Sequence, residues 1–140
     1  MMGQLRAASR LRIGIFLSLA VVHASRAPVS GTIERVINVP GGHRSALALE
    51  SGKRNQRNEL WLQDPRGCRL FMRQIAGLVA RRSVFAPRPG DTIRAGAIVG
   101  MIRFGSRVEL YVPLSAYRVQ VEVGIRVWAG ETVLGVSLHA

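Results

Sequence analysis

Gly105 and Ser106 stand side by side in Ile102-Arg103-Phe104-Gly105-Ser106-Arg107-Val108-Glu109-Leu110-Tyr111-Val112-Pro113, and the pair admits two readings. In the first, glycine fills the opening position of a two-residue type II′ turn and the dipeptide closes a hairpin. In the second the bond is reactive: the Ser106 hydroxyl attacks the preceding carbonyl, and elimination from the resulting ester, with water then displacing the amino nitrogen as ammonia, leaves a pyruvoyl group on a new amino terminus. Glycine places no side chain in the way of that attack. Other reactive side chains are few. Cys68 is the only cysteine and cannot form an internal disulfide, and with three scattered histidines it makes no zinc site of ordinary spacing.

The 140 residues carry a net charge of +12 with 48% hydrophobic side chains, a balance that supports one domain with a real core and excludes wholesale disorder. Lys53 is the only lysine, and the arginines are spread over almost every segment. Aromatics make up only 6% of the chain and show no stacking motif, so nucleic acid is disfavoured as a partner. An anionic membrane surface or a phosphate head group suits distributed arginine better, because the planar guanidinium pairs with phosphate in two-pronged fashion.

Short strands and turns must position these groups. Arg6, Arg10 and Arg12 precede the apolar run from Ile13 to Val22, which is too short to span a bilayer as a helix. Two readings remain for it: a secretory signal, or a buried strand alternating through Ile13, Ile15, Leu17 and Leu19. Extended structure is expected at Thr32–Val39, Glu59–Leu62, Arg69–Ile75 and Leu78–Phe85, with a long loop over His43–Asn58. In the stretch after Ser106, Val108, Leu110 and Val112 share one side of a strand and Arg107, Glu109 and Tyr111 the other. A weak internal repeat matches Gly90-Asp91-Thr92-Ile93-Arg94-Ala95-Gly96-Ala97-Ile98-Val99-Gly100 to Gly124-Ile125-Arg126-Val127-Trp128-Ala129-Gly130-Glu131-Thr132-Val133-Leu134-Gly135, with glycines at three equivalent positions. Together with Ala27-Pro28-Val29-Ser30-Gly31 it resembles the glycine-cornered barrels of biotinyl and lipoyl carrier domains. The expected fold is therefore mainly β, a small barrel or sandwich. A carrier function does not follow, since Lys53 lies in an unrelated loop.

The segment from Ile102 to Pro113 also resembles the self-cleavage region of the short class of phosphatidylserine decarboxylases. So do Gln74-Ile75-Ala76-Gly77-Leu78-Val79-Ala80-Arg81-Arg82, Val22-His23 with Arg26-Ala27-Pro28-Val29-Ser30-Gly31, Asn55 with Arg57-Asn58, and Ala129-Gly130-Glu131-Thr132-Val133-Leu134. The resemblance implies a proenzyme, one domain over 1–140, that splits between Gly105 and Ser106 into a β chain, 1–105, and an α chain, 106–140. Its cofactor would be a pyruvoyl group made from Ser106, whose ketone takes up the substrate amine and accepts electrons as carbon dioxide leaves, yielding phosphatidylethanolamine. His23 would be the acid–base residue, against the plainer reading of a structural histidine at a strand end. Arg26, Asn55 and Asn58 would contact substrate. No metal is implied. The expected partners are phosphatidylserine in an anionic membrane, the sister chain of the same precursor and, as an open case, a second copy. The location would be peripheral, on the cytoplasmic side of the cell membrane. The same match assigns Arg12–Leu19 to a family strand instead of a signal.

Some positions depart from the family pattern. Members carry an upstream region with apolar segments and a Pro-x-Asp-Gly motif whose Asp is thought to orient the histidine, and this sequence starts after both. Val21 stands where an Asp is usual and Ser25 where an Asn is usual, while Lys53 and Arg54 occupy places where acidic residues are common. Arg26 agrees with the short class, the longer classes having a second histidine there. The alternative function is accordingly a truncated, inactive β-barrel that binds anionic lipid through its arginines.

Overall fold

The computed structural model describes residues 10–17, 23–41, 55–75, 83–102 and 107–138. It is mainly β, with antiparallel pairing throughout and no helix among the described residues. β1 (Arg10–Phe16), β3 (Gly31–Val39), β4 (Arg57–Gln63), β5 (Arg69–Ile75), β7 (Thr92–Ile93) and β9 (Arg107–Pro113) form a six-stranded sheet in the order β1-β9-β5-β4-β3-β7. A three-stranded sheet orders β2 (His23–Arg26), β8 (Ile98–Ile102) and β6 (Ser83–Phe85) as β2-β8-β6, and β10 (Tyr117–Val119) pairs with β11 (Gly135–Ser137). This is the sandwich-like β architecture expected from the strand periodicity.

Period-two alternation decides what each face of the large sheet carries. Leu60, Leu62, Leu70, Met72, Val108, Leu110 and Val112 point to one side and form the core with Ile33, Val99 and Ile102, with Leu11 and Ile13 of β1 packed against them. The first part of the apolar run, Arg10–Phe16, is thus a strand of the sheet, in register with β9 from Arg10↔Pro113 to Phe16↔Arg107, and its later residues 18–22 lie outside the described ones. At Gly31 the chain passes so close to β4 that a Cβ would lie 2.2 Å from the Gln63 carbonyl oxygen, so no side chain fits without moving backbone.

The internal repeat is present in three dimensions. Gly90 and Gly124 have φ of 95° and 94°, and Gly96 and Gly130 have 84° and 76°. The backbone bonds recur with them: Asp91 N to Arg88 O and Ala97 N to Arg94 O in the first copy correspond to Ile125 N to Glu122 O and Glu131 N to Trp128 O in the second.

Two expectations need correction. The long loop does not extend to Asn58: β4 begins at Arg57, Asn55 forms an isolated bridge, and Asn55 and Asn58 are both buried. Nor do β8 and β9, the described strands on either side of Gly105-Ser106, pair as the arms of a hairpin; they lie in different sheets. The expected strand at Leu78–Phe85 is seen at Ser83–Phe85, and its first residues lie outside the described ones, as does most of His43–Asn58.

Candidate active site

Residues 103–106 connect the three-stranded sheet to the six-stranded one, and both ends of the connection are held by strand pairing. At the near end, Ile102 closes β8 between His23 on one side and Ser83 on the other. At the far end, Arg107 opens β9 between Phe16 and Ile75. Gly105 and Ser106 themselves lie outside the described residues. His23, the first residue of β2, is therefore in register with the last described residue before them.

A polar relay, exposed at Asn38 and buried at Asn58, Gln74 and Ser25, crosses the core face. Asn38 Nδ2 donates to Asn58 Oδ1 at 2.8 Å, Asn58 Nδ2 to Gln74 Oε1 at 3.4 Å, and Gln74 Nε2 to Ser25 Oγ at 3.1 Å and the Met101 carbonyl at 3.4 Å. Asn58 and Gln74 are direct cross-strand partners on β4 and β5, so the pleat puts their amides side by side. Gln74 then reaches across to β2 and β8, tying the strand of His23 to the main sheet. Buried amides are retained only when bonded in this way, since an orphaned one costs about 1–3 kcal/mol.

The opposite face of the large sheet carries a charged and aromatic ladder. Glu109, 2% exposed, receives the Tyr111 hydroxyl at 3.0 Å and lies 3.3 Å from Arg107, 3.7 Å from Arg12 and 3.7 Å from Arg73. Arg73 continues to Glu59 at 2.9 Å. Below it Trp61, Phe71 and Tyr111 stack with centroids 4.2 and 4.3 Å apart, and the Arg35 guanidinium sits 4.6 Å above the Trp61 ring. Burial pushes the Arg107 guanidinium down in pKa, against the opposing pull of Glu109, and pushes the Tyr111 hydroxyl up, with Glu109 adding to it. Several of the dispersed arginines of the sequence thus converge here, neutralised by two glutamates and spread over aromatic rings.

The other singled-out residues have distinct settings. Arg26 is exposed; its Nη1 donates to the Gly96 carbonyl at 2.8 Å, and its side chain lies against Gly130. It staples the two repeated turns together. Ser25, in place of the usual Asn, still accepts a hydrogen bond from Gln74.

Compared with known proteins, residues 2–135 match the family model described as phosphatidylserine decarboxylase. The chain belongs to the phosphatidylserine decarboxylase family. Among its relatives, the phosphatidylserine decarboxylase proenzyme of Desulfotalea psychrophila is 42% identical over 125 residues, covering 89% of this chain and 58% of the relative. Proteins of the same name from Mycolicibacterium vanbaalenii and Xanthobacter autotrophicus are 44% and 46% identical, covering 88% and 89% of this chain and 52% of each relative. The chain spans about half the length of the curated relatives it matches. No solved structure matches.

Sequence reading placed Gln74 in a family motif without a role and passed over the Glu59, Arg73 and Glu109 ladder. It also missed Asp64, which closes the β4–β5 turn by accepting the Arg66 and Cys68 amides, each at 2.9 Å, and the Tyr117 hydroxyl. A signal existed for the relay: Asn58 and Gln74 fall on the same alternation as Leu60, Leu62, Leu70 and Met72, so period two alone puts amides in the core.

Proposed function

We propose that this protein is a pyruvoyl-dependent decarboxylase of phosphatidylserine that first splits its own chain between Gly105 and Ser106, giving a β chain of 1–105 and an α chain of 106–140. The observation that supports the reading is the register of His23 with Ile102, the last described residue before Gly105-Ser106, where the chain passes from one sheet to the other. The described strands on either side of the dipeptide, β8 and β9, do not pair with each other.

In this reading the Ser106 hydroxyl is the internal nucleophile and Gly105 the unobstructed acyl donor. The pyruvoyl group that replaces Ser106 supplies a ketone able to draw electrons from the substrate's α-carbon as carbon dioxide leaves. His23 holds and returns a proton near that carbon, a task suited to an imidazole that titrates near neutral pH. The Gln74 relay keeps β2, and so His23, fixed relative to the main sheet. Arg26, exposed beside the two glycine turns, and the buried Asn55 and Asn58 are the substrate-contacting residues of this reading. The substrate lies in a membrane, to which the protein attaches peripherally on the cytoplasmic side through arginines outside the Glu59–Glu109 ladder; among the described residues no helix is long and apolar enough to cross a membrane. Association of the two chains of one precursor, and a dimer of such pairs, belong to the same reading.

The test is decarboxylation of carboxyl-labelled phosphatidylserine in vesicles. Ser106→Ala should stay a single inactive chain, and His23→Ala should lower turnover by on the order of 10²–10⁴. Full activity in His23→Ala would remove that residue from the chemistry, and an inactive, uncleaved wild type would favour a lipid-binding barrel without catalysis.

A further inference from the structure

The two glycine-cornered turns share a backbone yet present opposite chemistry to solvent. Their anchors match: Ile93 and Val127 are both partly buried. At the exposed positions the first copy has Asp91 and Arg94, and the second has Ile125, 52% exposed, and Trp128, 60% exposed. The first copy shows that the turn folds with polar residues there. It even gains from one, since the Asp91 carboxylate accepts the Arg88 amide at 2.9 Å. Isoleucine at the equivalent place gives up that cap and exposes hydrocarbon, so folding does not account for it. Val123 and Val133, 106% and 60% exposed, extend the apolar character of the same segment.

We propose that the turn of residues 122–133 is a membrane-contact element, with Ile125 and Trp128 seated at the interface of an anionic bilayer. This rests on the reading that the substrate is a membrane lipid, and adds which part of the surface meets the membrane. Three observations favour a bilayer over a protein partner. Residues 120–134 contain no strand, so the segment offers no row of free backbone groups onto which a second chain could add a strand. Its own backbone is tied internally, with Trp128 N donating to Thr132 Oγ1 at 2.8 Å and Thr132 N to Trp128 O at 3.0 Å, which suits a medium poor in hydrogen-bond partners. Finally, the Arg126 guanidinium lies 5.9 Å from the Trp128 ring, pairing an amphipathic indole with a cation that reaches phosphate, the composition of an interfacial anchor.

Glu122 and Glu131 balance Arg118 and Arg126 in this region. The contribution of the turn is therefore apolar and persists in salt, while attraction from arginines elsewhere on a chain of net charge +12 is screened. The double variant I125D/W128R gives the second turn the residues of the first, cap included, and keeps the fold.

The experiment is co-sedimentation of the whole chain with vesicles of phosphatidylcholine and phosphatidylglycerol at low and high salt, wild type against I125D/W128R, with circular dichroism confirming equal folding. The expected result is a loss of partitioning on the order of tenfold or more in the variant, retained at high salt. Equal partitioning of the two proteins, or no binding by wild type, would overturn the proposal. So would sedimentation equilibrium showing a wild-type dimer that the variant abolishes, which would make the turn a contact between copies. Cleavage at Gly105-Ser106, followed in the same samples, separates failure of this inference from failure of the catalytic reading: the variant should cleave like wild type.

Discussion

Glu109→Gln removes one negative charge from the least accessible ionic cluster among the described residues. The carboxylate and its neighbour Arg107 are each 2% exposed and 3.3 Å apart, so solvent screening offers little relief, and Arg12 and Arg73 lie at 3.7 Å from its two oxygens. Arg73 keeps Glu59 in the variant; Arg107 and Arg12 lose the carboxylate they share. Breaking a buried pair from one side costs about 3–5 kcal/mol, and for a domain of this size each kcal/mol lowers Tm by about 3–5 °C. The expected fall is therefore about 10–20 °C, read by circular dichroism on the Ser106→Ala background so that chain cleavage does not complicate the melt. The internal control is Glu34→Gln, which loses a pair with the exposed Arg69 at 3.1 Å, far more open to solvent than the Glu109 cluster, and should cost under about 1 kcal/mol. Equal, small shifts for both variants would refute the argument that burial makes the Glu109 cluster structurally dominant.

Gln74→Leu, similar in volume, deprives Ser25 and the Met101 carbonyl of their shared donor; about 1–3 kcal/mol should be lost in urea unfolding, and cleavage should slow at temperatures where the fold is intact. Unchanged cleavage in the destabilised variant would confine the relay to a structural role. Asp64 gives a pH prediction: burial raises its pKa, but the hydrogen bonds from Tyr117, Cys68 and Arg66 outweigh burial and hold it below the usual carboxylate range. Its stabilising effect is thus present above the unfolded-state value of about 3.9 and lost as pH falls through the depressed folded value. The stability gap between wild type and Asp64→Asn, measured by urea unfolding, should narrow below about pH 4; a constant gap would contradict it.

Much of the architecture was legible in residue order. The alternation Val108, Leu110, Val112 located β9 and its core face, and the two glycine-spaced segments announced paired turns whose φ angles of 95° and 94°, and of 84° and 76°, correspond. What the alternation could not tell is that β9 lies between β1 and β5, so that Arg107, Glu109 and Tyr111 are buried too. A charged half of a strand reads as a wet face until its neighbours are known. The hairpin reading of Gly105-Ser106 failed for a related reason: turn chemistry is local, whereas the sheet each flanking strand joins is decided by long-range pairing. Asn55, Arg57 and Asn58 looked like loop because polar residues crowd there, yet Asn58 is bonded on both sides by Asn38 and Gln74, partners far away in sequence. The proposal that Gly105, Ser106 and His23 share a reactive site rests on family likeness alone, since isolated spacing does not distinguish a reactive bond from a turn.

The central claim is tested most directly by mass spectrometry of the purified 140-residue chain. The account predicts two fragments, one ending at Gly105 and one beginning with a pyruvoyl group in place of Ser106 and blocked to Edman degradation, with a single intact chain in Ser106→Ala. A wild-type chain that stays whole on prolonged incubation, with Ser106 unmodified, would contradict it.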